Sequence, residues 1–227
     1  SYAHCNTLFI DLCQLCIEAL HIVERKMSDL PDEQQMQKYL DISIKKVRNT
    51  ILTINPHDTI FAFFDGSCPA IKFQRKRERY FENEYIENYV IDPTEYKLSD
   101  VNKCRDRFIV QKLFEYFTDM TPNCVYLRAN EILFSTFFSQ GEAEHKFFEV
   151  FRSFKKEQKI KNNQLHSIFS FDNDLIILAL QFFDDHFIIL KDFDTIVDIS
   201  ILRDLFLYQM IQKDLFFIEE NSEENLN

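Results

Sequence analysis

The sequence predicts an α/β fold, a central and mainly parallel sheet flanked by helices. Three observations carry that expectation. Short apolar runs of strand length alternate with longer segments whose apolar residues fall at helical spacing. One run, Thr59-Ile60-Phe61-Ala62-Phe63-Phe64, is almost continuously apolar, as a strand covered on both faces must be. Acidic residues stand where such runs end, at Asp11, Asp65 and Asp172. In open parallel sheets, sites form beyond the carboxyl ends of the strands. The 227 residues suffice for one domain with a full core, read here as spanning residues 1–218.

Taken in order, Thr7-Leu8-Phe9-Ile10 reads as a buried strand ending at Asp11. From Leu12 to about Lys26, Leu12, Leu15, Cys16, Ala19, Leu20 and Val23 keep helical spacing. Pro31-Asp32-Glu33 opens a second helix with an apolar face of Tyr39, Leu40, Ile42, Ile44 and Val47. Asn55-Pro56-His57-Asp58 is a turn before the strand 59–64. Residues 72–83 are charged and read as a helix, and 84–100 as irregular. A helix resumes over about 101–119, and Cys124-Val125-Tyr126-Leu127 is the expected third strand. A helix opens at Glu142/Glu144 and runs to about Phe154, followed by a loop over 155–164. His166 to Phe171 reads as a strand, Leu175 to Phe183 as a short apolar segment, and His186 to Leu190 as another strand. Ile199 to Leu215 is the last helix, and the acidic, Asn-rich segment 219–227 is expected to be disordered.

Composition excludes several functions. With 25 Phe and no Trp, phenylalanine carries much of the core. With 2 Gly, the chain cannot build a glycine-rich phosphate loop or a dinucleotide fingerprint. A net charge of −11 argues against nonspecific coating of nucleic acid, while clustered carboxylates are what divalent metals require. Cys13 and Cys16 form a C-x-x-C inside a helix-like stretch with no matching second pair, so buried thiols are expected there rather than zinc. That usage points to a reducing compartment, cytoplasmic or alternatively nuclear. No apolar run approaches the roughly 20 residues of a membrane span. The chain opens without Met, which leaves its N-terminus uncertain.

The acids form a pattern. Glu142 and Glu144 stand two apart before the apolar run Phe147, Phe148, Val150, Phe151, and Asp172 and Asp174 repeat that spacing. Together with Asp11 and Asp65, they come from four segments, each at a strand end or helix start. Glutamates in a first helical turn also stabilise the helix dipole by themselves. Convergence at the strand ends favours a shared metal site over solvated charge. Beyond Asp65, the segment Lys72-Phe73-Gln74-Arg75-Lys76-Arg77-Glu78-Arg79 places Lys72, Arg75, Lys76 and Arg79 on one helical face. Such a face suits a phosphate beside carboxylate-bound metal. A second group, Lys155, Lys156, Lys159 and Lys161, reads as surface.

These segments, in this order, resemble the Xrn family of 5′→3′ exoribonucleases. Leu8-Phe9-Ile10-Asp11 is similar to the family's first metal-ligand strand. Asp65-Gly66-Ser67-Cys68-Pro69-Ala70-Ile71-Lys72 with the Arg-rich run resembles its D-G-x-A-P-R-A-K-x-N-Q-Q-R-x-R-R segment. Gly141 to Lys146 matches G-E-G-E-H-K but for Ala143, and His166 to Leu180 resembles H-x-I-Y-G-x-D-A-D-L-I-x-L-x-L. The resemblance implies a fold related to flap endonucleases and PIN domains. It implies metal ligands Asp11, Asp65, Glu142, Glu144, Asp172 and Asp174, and a 5′-monophosphate pocket at Lys72, Lys76 and Arg79. The departures are specific. Ile17 stands where the family has a base-stacking histidine, and Tyr80 replaces an arginine of the phosphate pocket. The family's last catalytic aspartate and the large C-terminal region that encloses the RNA have no counterpart within these residues.

The expected function is divalent-metal-dependent 5′→3′ hydrolysis of 5′-monophosphorylated single-stranded RNA, with two Mg²⁺ or Mn²⁺ ions. Two readings compete with it. One is a flap or PIN-type endonuclease; the other is a catalytically degenerate module that binds RNA or a partner. A protein partner or a further C-terminal region completing the site is also expected.

Overall fold

The computed structural model describes residues 5–67, 107–123, 127–191 and 195–224. Strands and helices alternate as β1 (Thr7–Asp11), α1 (Leu12–Lys26), α2 (Asp32–Ile54), β2 (Thr59–Phe63), α3 (Arg107–Asn123), β3 (Glu131–Ser135), α4 (Ala143–Lys156), β4 (Leu165–Phe169), α5 (Asp174–Leu180), β5 (His186–Leu190), β6 (Ile196–Asp198) and α6 (Ile199–Glu224). The strands form one sheet in the order β3-β2-β1-β4-β5-β6. All pairings are parallel except β5 with β6. The winding runs outward from β1 through β2 to β3, then restarts on the other side at β4. That reversal opens a crevice at the carboxyl ends of β1 and β4.

Strand periodicity splits the core in two. Leu8, Ile10, Ile60, Ala62 and Phe169 face the layer formed by α1, α2 and α3, where Leu15, Leu20, Tyr39, Val47, Ile51, Ile109 and Leu113 are buried. Phe9, Phe61, Phe63, Ile168, Phe187 and Ile189 face the opposite layer, which α4 and α5 cover with Phe147, Phe148, Phe151, Phe154, Leu175 and Ala179. With no Trp available, rings of phenylalanine interlock instead. Phe147 stacks on Phe9 with centroids 4.6 Å apart, and meets Phe61 edge-on at 5.2 Å. Phe151 packs edge-on against Phe182 and the buried His166 ring.

Helix ends follow the expected chemistry. Asp11 caps α1, and α2 stops at Asn55, whose φ of 45° is the left-handed conformation that asparagine tolerates. Four elements differ from the sequence expectation. The third strand is Glu131–Ser135, later than Cys124–Leu127; it is a half-buried edge strand whose flanking Glu131 and Ser135 mask its three apolar residues. Residues 124–126 lie outside the described residues, and Leu127 is not in a strand. β6, three residues long and antiparallel, is too short to carry a periodic signal. α3 ends at Asn123, and α6 continues past Leu215 to Glu224, into the segment expected to be disordered. Lys155, expected at the surface, instead pairs with the buried Asp185. Asp185 sits 3.5 Å from the Nε2 of His166, whose Nδ1 lies 2.8 Å from the Thr7 hydroxyl.

Because Phe147 joins α4 to both β1 and β2, it couples the packed core to the helix start that carries Glu142 and Glu144. Phe147→Ala is expected to cost about 3–5 kcal/mol, the range for emptying a buried aromatic site. Urea unfolding measures it, and a loss under about 1 kcal/mol would show that the layer refills the space.

Candidate metal centre

Three strand ends and one helix start bring the acids together. β1 ends in Asp11, whose carboxylate accepts a hydrogen bond from the Gln14 N–H at 3.2 Å and so caps α1. Such a cap is worth about 1 kcal/mol, so Asp11 also has a structural task. β2 leads to Asp65, two residues past its end. The Asp65 carboxylate accepts from the Ala143 N–H at 2.9 Å, the first residue of α4, where helix-terminal N–H groups favour negative charge.

The joint between these segments uses both glycines of the chain. The Gly66 N–H donates to the Gly141 carbonyl at 2.8 Å, and the Gly141 N–H donates to the Ser67 carbonyl at 3.0 Å. A Cβ on Gly66 would lie 1.7 Å from the Ser139 carbonyl oxygen, and Gly141 has φ of +93°. Neither position accepts a side chain without movement. Glu142 and Glu144 follow and are both buried. One ligand atom from each, with one from the exposed His145 imidazole, lie within 4.8 Å of one another.

From β4 the chain supplies Ser170, whose hydroxyl donates to Asp11 Oδ2 at 3.3 Å and accepts from the Asp172 N–H at 3.2 Å. The Asp172 carboxylate in turn accepts from the Asp174 N–H at 2.9 Å. Asp172 and Asp174 are exposed at the mouth. Burial pushes Asp11 up to about 7, helped by the negative charges of Asp65 and Asp172. Burial likewise pushes Glu144 up to about 8, with Asp65 and Glu142 adding repulsion. Five of the six sequence-predicted acids therefore act on one another through space: Asp11, Asp65, Glu142, Glu144 and Asp172. Asp174 joins through its backbone bond to Asp172. Lys72, Arg75, Lys76 and Arg79 lie outside the described residues.

Sequence reasoning assigned no role to Lys146 or Ser170, and read Cys13 only as a buried thiol. Lys146 is a buried cation behind the acids; its Nζ donates to the Phe64 carbonyl at 2.6 Å, the Ser135 hydroxyl at 2.9 Å and the Thr136 carbonyl at 3.2 Å. It thus ties the ends of β2 and β3 to α4. The available signal was a lysine directly preceding the buried Phe147 and Phe148. Cys13 is a buried thiol, as expected, and its sulfur accepts from the Asp65 N–H at 3.3 Å. Cys5 and Cys16 are buried as well.

The donor set fits a hard divalent cation. It consists of carboxylate oxygens on separate elements, two of them held away from their ionised form by burial and mutual repulsion. A six-stranded, mostly parallel sheet with helices on both faces and this acidic cluster beyond its carboxyl edge is a PIN-like nuclease fold. The chain belongs to the family described as XRN 5′-3′ exonuclease N-terminus, whose model matches residues 1–113 and 82–193. It is 26% identical over 153 residues to 5′-3′ exoribonuclease 1 of Saccharomyces cerevisiae, covering 62% of this chain and 10% of that protein. It is 22% identical over 207 residues to 5′-3′ exoribonuclease 1 of Schizosaccharomyces pombe, covering 82% of this chain and 15% of that protein. Against the Homo sapiens 5′-3′ exoribonuclease 1, identity is 28% over 152 residues, covering 61% and 9%. The matched region is therefore a small part of these relatives. Among the described residues, no helix is long and apolar enough to cross a membrane.

Two expectations follow from the electrostatics. Between their ordinary values of 3.8 and 4.5 and their raised ones, Asp11 and Glu144 bind more protons in the folded chain than in the unfolded one. The stability this contributes is present at low pH and is lost as pH rises through about 7 and about 8. His166, which burial shifts down from 6.5, opposes this trend only below about that pH. In chelator, the melting temperature should fall between about pH 6.5 and about pH 8, and Asp11→Asn with Glu144→Gln should flatten the slope. A wild-type melting temperature unchanged across that range contradicts the raised values. Separately, Lys146→Met keeps the aliphatic stem but strands one buried and two half-buried acceptors, which should cost about 1–3 kcal/mol in urea unfolding; a neutral result means those groups find water.

Proposed function

We propose that this chain is the catalytic region of a divalent-metal-dependent 5′→3′ exoribonuclease acting on 5′-monophosphorylated single-stranded RNA. The observation that carries the reading is the convergence of Asp11, Asp65, Glu142, Glu144 and Asp172 at the switch point of the sheet, in a chain of this family. Asp11, Asp65, Glu142, Glu144, Asp172 and Asp174 would hold two Mg²⁺ or Mn²⁺ ions. When bound, such a pair lowers the pKa of an attacking water and stabilises the leaving 3′-oxygen. The chain's own contribution is orientation. Ser170 and the α1 cap fix the Asp11 carboxylate, the Ala143 N–H fixes Asp65, and the glycine joint fixes the start of α4. Lys72, Arg75, Lys76 and Arg79 would receive the 5′-phosphate and set the direction of attack.

The matched segments make up 10% and 15% of these two yeast relatives, and this bears on what completes the site. On α6, the side chains of Ile201, Leu205, Phe206, Tyr208 and Met210 are exposed. A helix apolar around its circumference belongs under cover. Its exposure supports a further polypeptide segment, from this chain or a partner, packed against that helix. The cytoplasm, or alternatively the nucleus, is the compartment that fits a protein with buried thiols acting on RNA.

Asp172→Asn removes one ligand charge and keeps shape. It should lower decay of 5′-monophosphorylated RNA by at least about a hundredfold while RNA binding persists. The matching 5′-hydroxyl strand should be spared by the unmutated protein. The assay is Mg²⁺-dependent decay of end-labelled RNA. Equal rates for Asp172→Asn and wild type would overturn the site. Equal decay of the two 5′ ends, or cuts at internal positions first, would favour the endonuclease reading instead.

A further inference from the structure

An enzyme acting on single-stranded RNA needs a surface for the bases beside its metals, and Ile17, where the resemblance places a stacking residue, has no aromatic face to offer. Ile17, on α1, is half-buried and packs against the core layer of α1 and α2. Another surface has to take the base. The turn between β3 and α4 offers one. Phe138 is 77% exposed, an unusual state for so apolar a ring. A lone exposed phenylalanine on a floppy loop would mean little, but this turn is anchored at several points. The Ser139 N–H donates to the Thr136 carbonyl at 3.2 Å, and the Phe138 N–H to the Thr136 hydroxyl at 3.3 Å. The Thr136 carbonyl is held from below by Lys146, and the Ser139 carbonyl rests against Gly66. Phe137 lies behind Phe138 with ring centroids 4.3 Å apart, and packs on the core.

We propose that Phe138 is the stacking platform for a nucleobase of the single-stranded substrate. This rests on the nuclease reading of the acidic centre and adds a subsite to it. Three residues separate the ring from Glu142, on a segment bonded to Gly66 and Ser67 beside Asp65. The platform therefore sits at the rim of the acids, on the same rigid joint that positions them. Aromatic stacking reads no sequence, since every base has a flat face. That matches an enzyme that degrades a strand base by base.

The chain has no Trp, so Phe138→Trp adds a single indole reporter at the platform. Binding of a short, phosphorothioate-linked, 5′-monophosphorylated RNA is measured by anisotropy with Mg²⁺ for wild type, Phe138→Ala and Phe138→Trp. Phe138→Ala should weaken binding roughly 5- to 100-fold, the equivalent of one lost base–aromatic stack. Its melting temperature should be unchanged, since the ring buries little surface. Phe138→Trp should bind at least as tightly as wild type, with its fluorescence quenched by RNA. Replacing one nucleotide at a time with an abasic residue should weaken wild-type binding at one position, and that penalty should vanish in Phe138→Ala. If wild type binds RNA and Phe138→Ala binds equally, or the abasic penalty persists, the platform is wrong while the nuclease reading stands. If wild type binds no RNA, both fall.

Discussion

Carboxylates that repel one another must be brought together, and most local features of this structure follow from that constraint. Each device that does so is a hydrogen bond or a neutralising charge. The N-terminus of α4 receives the Asp65 carboxylate, and the Gln14 N–H and Ser170 hydroxyl receive Asp11. Lys146 places a buried cation behind the group. These contacts do not remove the repulsion, because Asp11 and Glu144 still stand far above the usual carboxylate range. Carboxylates in that condition cost stability unless a proton or a cation neutralises them.

The rest of the fold supplies rigidity for this arrangement. Parallel pairing around β1 puts the ends of β1, β2 and β4 on one edge, and the phenylalanine layer under α4 holds that helix to the sheet. Phe147 and Lys146 are neighbours in sequence and divide the labour: one ring fills the core, one ammonium ties strand ends. Gly66 permits an approach of chains that a Cβ would block, and Gly141 supplies a positive φ that other residues rarely adopt. The same joint carries the exposed Phe138, so charge, backbone and a candidate base contact share one mount.

Much of this was legible in the sequence because it depends on periodicity and on residue type. β1, β2, β4 and β5 are apolar runs with sharp ends, and α1, α2 and α4 keep one apolar face. The acids were legible because they stand at those ends. What escaped depends on contacts between distant segments. β3 is an edge strand, half exposed, so its apolar signal is weaker than that of Cys124–Leu127. Ser170 has no composition signal, and its value lies in bridging Asp11 and the Asp172 backbone. Lys155 looked like surface charge because its partner Asp185 is thirty residues away in sequence. Lys146 gave no signal of its own, because its role depends on the ends of β2 and β3 that close around it.

The most direct test of the central claim is anomalous X-ray scattering from crystals grown with Mn²⁺. The account predicts strong peaks bounded by the carboxylates of Asp11, Asp65, Glu142 and Asp172, at Mn–oxygen distances of about 2.2 Å, within the oxygen-ligand range for hard cations. Such peaks should disappear from the Asp172→Asn protein or lose a ligand there. Crystals of the unmutated protein that show no anomalous peak among these four carboxylates, at Mn²⁺ concentrations that saturate other oxygen sites, would contradict it.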